Sequence, residues 1–252
     1  TMTDHWLGKL WDKLDELDLW RDTMVVLTTD HGAMLAEHRY WQKLFMPVYN
    51  EIAHIPLIVH LPGSARAGKR VSVLTQTTDL MPTYLDYFGA PPPPHLHGTS
   101  LRSALEANEP IHDAVIYGYF GMAVNVTDGR YTYFRNPVQA ESVVYAYTAV
   151  PTAYHGFMPR EQLAQAELGR FLGHAYNIPI YKVPTRGRAP HHHGRDPDGE
   201  YVPFHELFDI AADPRQEHPL DDPALERRLC ELLRAQLDRV QAPQGHPERL
   251  GL

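Results

Sequence analysis

The chain has 252 residues, a formal net charge of −8, 43% hydrophobic and 10% aromatic residues, and one cysteine. That is an ordinary globular composition, with length enough to bury a substantial core. The acidic balance with scattered basic residues argues against a nucleic-acid partner, no apolar run approaches the roughly 18 residues that cross a bilayer, and a lone cysteine excludes an intrachain disulfide or a multi-cysteine zinc site within these residues.

Residues 3–19 place Leu7, Leu10, Leu14 and Leu17 three and four apart. This spacing predicts an amphipathic helix that buries the leucine stripe and solvates Asp12, Asp15 and Glu16. Residues 24–29 are apolar or β-branched, which predicts a short strand in an α/β sheet covered on both faces. The run stops at Asp30, His31 and Gly32. Ligand chemistry in open α/β sheets gathers where strands end at their carboxyl edge. A carboxylate oxygen and a neutral imidazole nitrogen can share one cation there, while Gly32 lets the backbone turn. His38 and Lys43 follow closely enough to fold back over the same point. On these residues alone, a capping aspartate and an ordinary loop histidine explain the pattern equally well.

Residues 39–50 read as a loop and 55–61 as a second buried strand. A basic, glycine-containing loop at 66–70 and an extended stretch at 71–77 lead to a helix over 79–88, capped by Asp79 with Pro82 in its first turn. The four prolines at 91–94 form a stiff linker. They divide the chain into units of 1–93 and 94–252. Strands are predicted at 114–119, 122–127 and 130–134, with Asp128-Gly129 as a two-residue hairpin signal. Residues 136–203 read as long and irregular, with a helical piece at 160–172, the kind of segment that covers or shapes a site. A strand at 204–210, an amphipathic helix at 223–240 and a tail complete the chain. Cys230 lies in the helical pattern and reads as packing.

Smaller candidates carry two readings each. His95 and His97 rim a pocket or belong to the linker. Tyr117, Tyr119 and Phe120 face substrate or pack the sheet. His191, His192 and His193 with Gly194-Arg195 bind a metal or anion, or form a solvated loop tip. Tyr154, His155 and Arg186 stand where selectivity would be set.

Several motifs run in a familiar order. Asp30-His31-Gly32 is followed by Glu37-His38 and by Lys43, twelve residues past His31. Then come Tyr49-Asn50-Glu51, Ile55-Pro56-Leu57-Ile58-Val59 with Pro62-Gly63, Thr78-Asp79-Leu80-Met81-Pro82-Thr83, His97-Gly98-Thr99-Ser100-Leu101, and Glu206-Leu207-Phe208-Asp209 with Asp213-Pro214. This series resembles the sulfatases of the alkaline phosphatase superfamily, with phosphonate monoester hydrolases as close relatives. The resemblance implies the C-terminal part of an alkaline-phosphatase-like α/β sandwich, plus a small C-terminal subdomain with an antiparallel sheet and a helix. It implies Asp30 and His31 as ligands of one divalent metal: Ca2+ in a sulfatase, Mn2+ or Zn2+ in a phosphonate monoester or phosphodiester hydrolase. It places Lys43 on an ester oxygen, with His38 close by or bonded to the loop. The substrate expected is a small-molecule sulfate ester, or a phosphonate or phosphate ester. The family's Cys/Ser-x-Pro-x-Arg motif, which carries the formylglycine nucleophile, and its earlier Asp pair are not among these residues. An N-terminal half on a separate chain is therefore expected to supply them, with this chain alone inactive and stable only when docked to that half. A non-catalytic relative that binds an anion or partner stands as the alternative, and a homo-oligomer and the compartment are left open.

Overall fold

A helix with no fully buried residue leads the fold. The computed structural model describes residues 2–43, 46–64, 66–139, 141–153, 156–188, 204–243 and 245–252. Helix α1 (Met2–Glu16) half-buries Leu7, Trp11 and Leu14, and the Trp11 ring lies 5.8 Å from that of Trp20. Leu10 and Leu17, expected inside, are exposed. Leucine spacing defines a stripe but not which side of it finds a partner, and here the helix meets Trp20 through Trp11. Next come β1 (Val25–Thr28), the hairpin strands β2 (Met34–Leu35) and β3 (Trp41–Gln42), the one-turn helix α2 (Asn50–Ala53) and β4 (Leu57–His60). Strand β1 pairs antiparallel with β4, Leu27 opposite Ile58. The expected burial on both faces is not found: β1 is half-buried throughout and Ile58 is 60% exposed. Among the described residues this sheet has two strands, which leaves both with an open edge.

Helix α3 (Leu80–Tyr87) carries Pro82 in its first turn, as its sequence requires. Asp79 does not cap α3 through its side chain. Its fully buried carboxylate accepts Gln76 N at 2.7 Å, Thr99 N at 2.8 Å and His112 Nε2 at 2.9 Å. Thr83 Oγ1 in turn donates to Asp79 O and accepts from Leu101 N. A buried carboxylate is tolerated because each oxygen is bonded, and the bonds tie α3 to the start of α4 (Arg102–Ala107).

Strands β5 (Val115–Gly118), β6 (Val124–Thr127) and β7 (Tyr131–Arg135) form the expected antiparallel meander. The β6–β7 turn is longer than the two residues signalled, since Thr127 pairs with Thr132. Asp128 closes it by accepting the N–H groups of Arg130 and Tyr131. Residues 136–203 are not simply irregular. They include β8 (Glu141–Thr148), the short hairpin β9 (Thr152–Ala153) and β10 (Gly156–Phe157), α5 (Arg160–Leu163), β11 (Glu167–Gly169) and β12 (Ile180–Arg188). Strands β11, β12 and β8 make a three-stranded antiparallel sheet. The helix expected at 160–172 stops after one turn because Glu167, Leu168 and Gly169 pair with β12 instead.

Strand β13 (Glu206–Asp209) completes a four-stranded sheet in the order β13-β7-β6-β5. Its two faces hold the core. Alternation along β7 sends Tyr133 to one side and Phe134 to the other. On the Tyr133 side, Leu229, Leu233 and Leu237 of α6 (Pro223–Arg239) pack with Val126, Leu207 and Leu250. On the Phe134 side lie Phe208, Met34, Met46, Tyr49 and Ile52. The last residues are no tail: α7 (His246–Leu250) buries Leu250, and Arg135 donates to Leu250 O and Gly251 O.

Candidate active site

The carboxyl end of β1 delivers Asp30 and His31 to an open cleft of about 790 Å³, walled also by Asn50, Gln76, Tyr117 and Tyr119. Gly32 fixes how the chain leaves. Its N–H donates to Ile52 O at 2.9 Å, and a Cβ here would lie 1.8 Å from the Glu51 carbonyl oxygen. The sequence suggested a turn that uses glycine's conformational freedom. The φ at Gly32 is not positive, so what the site uses is the missing side chain, which lets two backbones touch.

His31 Nδ1 bonds to the Gly32 carbonyl at 2.7 Å. This assigns the proton to Nδ1 and leaves a lone pair on Nε2. That nitrogen lies 3.2 Å from Asp30 Oδ2 and 2.5 Å from Lys43 Nζ. Two acceptors that face each other at such a distance repel unless positive charge joins them, and here the Lys43 ammonium does. One carboxylate oxygen and one imidazole nitrogen aimed at a common point are also a donor pair that fits a divalent cation. Desolvation raises the Asp30 pKa. The N–H groups of Asp30 and His31, and the Lys43 ammonium, outweigh it and hold the carboxyl below its usual range. Among the described residues no group of three or more His, Cys, Asp or Glu side chains is placed to hold a metal.

The β2–β3 hairpin brings Lys43 to this point. Met34 pairs with Gln42, so residue 43 returns beside residues 31–33. The turn runs through Ala36, His38 and Arg39, all at positive φ, as is Gln42 in β3. Each non-glycine residue there costs roughly 1 kcal/mol or more, a strain that surrounding contacts must hold. Tyr119 Oη donates to Lys43 O at 2.6 Å. Tyr119 thus anchors the lysine's backbone, a role in neither of its two sequence readings. Tyr117 bonds Thr132 Oγ1, burial pushes its hydroxyl up to about 12, and Phe120 is exposed.

His38 makes its contacts elsewhere: its ring stacks on Tyr49 at 3.7 Å and 3°, and Nε2 lies 3.9 Å from Glu51 Oε2. Tyr49 Oη donates to Glu206 Oε2 at 3.4 Å. Burial pushes the Glu206 carboxyl up to about 7, with the Tyr49 bond opposing in part. Asn50 N donates to Gln216 Oε1 at 2.7 Å. The strand-and-turn sequence near residues 206–216 therefore braces the layer beneath Gly32, which its position far along the chain did not reveal. Arg186 is exposed, 4.0 Å from Glu141. Tyr154, His155, His191, His192, His193, Gly194 and Arg195 lie outside the described residues.

The mixed α/β fold with antiparallel sheets matches solved structures over part of their length. A protein solved in complex with its substrate D-glucosamine-2-N,6-O-disulfate matches 96% of this chain and 40% of its own, at a TM-score of 0.62 and 19% identity. A 2-O glycosaminoglycan sulfatase matches 90% of this chain and 40% of its own, at a TM-score of 0.53 and 23% identity. At these identities the likeness is one of fold. Residues 1–90 match the family model described as Sulfatase. Arylsulfatase K of Canis lupus familiaris is 43% identical over 99 residues, 39% of this chain and 18% of that protein. N-acetylglucosamine-6-O-sulfatase of Bacteroides thetaiotaomicron is 35% identical over 103 residues, 41% of this chain and 18% of that protein. The multifunctional alkaline phosphatase superfamily protein PehA of Trinickia caryophylli is 35% identical over 112 residues. The match thus spans about a fifth of the length of these curated relatives.

Proposed function

We propose that this chain supplies part of the metal and anion site of an enzyme that hydrolyses a sulfate ester. The observation that carries the reading is the convergence of Asp30 Oδ2, His31 Nε2 and Lys43 Nζ within the stretch that matches the sulfatases. Asp30 and His31 are two ligands of one divalent cation, Ca2+ in a sulfatase. That cation supplies Lewis-acid neutralisation of the ester's oxygens. Lys43 moves its ammonium from His31 to an ester oxygen and adds fixed positive charge where the transition state needs it. The Nδ1 bond to Gly32 O keeps His31 in the tautomer a ligand requires. The formylglycine nucleophile and the remaining carboxylate ligands of this reading come from sulfatase residues other than the 252 of this sequence.

A second reading keeps the same residues for a phosphonate or phosphate ester with Mn2+ or Zn2+, and what favours it is likeness to a multifunctional member of the alkaline phosphatase superfamily. Metal analysis separates the two. The ligand assignment is tested by measuring metal in the assembled enzyme. Asp30→Ala and His31→Ala each lose the bound cation, while Lys43→Ala retains it and lowers kcat by about 10²–10³. Unchanged metal in both ligand variants overturns the assignment. The division of the site is tested with p-nitrophenyl sulfate: the chain alone shows no turnover, and turnover by the purified chain alone refutes it.

A further inference from the structure

Away from Asp30, three distant segments meet: the stretch that follows the four prolines, the turn Gly173–Ala175 between β11 and β12, and the C-terminal end of α6. Arg239 Nη1 donates to His97 O at 2.8 Å, and the Gln241 side-chain amide packs on Gly173. The His97 and His174 rings lie edge to face with centroids 4.6 Å apart. His97 Nε2 and His174 Nδ1 are both buried, and neither has a hydrogen-bond partner. One orphaned imidazole nitrogen is a defect that a small side-chain shift relieves. Two on touching rings from distant segments are a pair of unused donors.

We propose that His97 Nε2 and His174 Nδ1 are ligands of a late first-row divalent cation, with zinc as its representative and water completing the shell. The chemistry favours this class, because imidazole suits zinc, copper and nickel, whereas calcium and magnesium prefer oxygen. Ligation requires neutral rings. Burial first, then His174 and Arg239, lowers the His97 pKa, a shift in the direction that ligation needs. The Arg239 charge opposes a cation and keeps affinity modest, although its guanidinium is committed to His97 O and Gln236. The bound ion clips the post-proline segment to the three-stranded sheet. The site is independent of the reading given to Asp30 and His31.

The test is a Zn2+ titration of the full chain, alone or with its complement as purified, in a background that silences competing donors. That background carries Asp30→Ala, His31→Ala, His191→Ala, His192→Ala and His193→Ala. One equivalent of Zn2+ is expected to bind, both imidazoles' NMR signals to shift at that equivalent, and His97→Gln or His174→Gln to weaken binding at least tenfold. The proposal is overturned if the background binds no Zn2+, if both substitutions leave affinity unchanged, or if neither imidazole responds. If a glutamine variant does not fold, the imidazole signals of the background protein decide alone.

Discussion

One methyl group tests the geometry behind the cleft. Gly32→Ala puts a carbon 1.8 Å from the Glu51 carbonyl oxygen, so one backbone must retreat. A loss of about 1–3 kcal/mol in urea unfolding is expected, and wild-type stability would mean that this close approach does not exist. Glu206 tests electrostatics at the same scale. Its folded pKa of about 7 lies above the ordinary 4.5, so the folded chain holds a proton that the unfolded chain has lost between those values. Stability from this group therefore falls as pH rises through that window, and the deficit is complete above pH 7. Relative to Glu206→Gln, the wild type should lose on the order of 3 kcal/mol between pH 4.5 and pH 7.5. Parallel pH–stability curves for the two proteins would show that the carboxyl is not held protonated. Asp30, His31 and Lys43 were legible as a group because a strand's end and twelve-residue spacing are local features. Tyr119 and Glu206 were not, because what they touch is set by which strands meet.

Elements stabilised by their own periodicity were the readable ones. Helix α6 has an Asp222 cap that accepts Ala224 N and Leu225 N, a first-turn proline, and leucines four apart. Leu233 is fully buried in the core beneath the four-stranded sheet. Leu233→Ala is expected to cost about 2–5 kcal/mol, read as a lower denaturant midpoint with an unchanged slope. Strands β8 and β12 were missed for an equally physical reason. Thr148 pairs with Tyr181 across a long intervening segment, and Pro184 sits inside β12. Proline argues against a central strand. It is accommodated because, among the described residues, β11 pairs only with residues 180–182, which leaves β12 a free edge at Pro184. Helix α1 shows the opposite failure, a correct helix whose buried side was misjudged.

At the scale of the whole molecule, the described residues leave apolar surface without cover. Sheet β1–β4 has two strands and therefore two open edges, and Trp6, Leu10, Leu17 and Ile58 are exposed. Open edges beside apolar side chains recruit other chains. The isolated chain is accordingly expected to self-associate in size-exclusion chromatography at micromolar concentration. A monodisperse, cooperatively unfolding monomer would refute this.

By itself the sequence determined the meander, helices α3 and α6, the strand end that carries Asp30 and His31, and the return of Lys43. These follow from alternation, a proline in the first turn of each helix, and short loops, which act between near neighbours. Only the tertiary structure decided that Gly32 is needed for contact rather than for turning, that Glu206 and Tyr119 brace the site, and that His97 meets His174. Those depend on which surfaces pack together, and a one-dimensional pattern does not specify its partners.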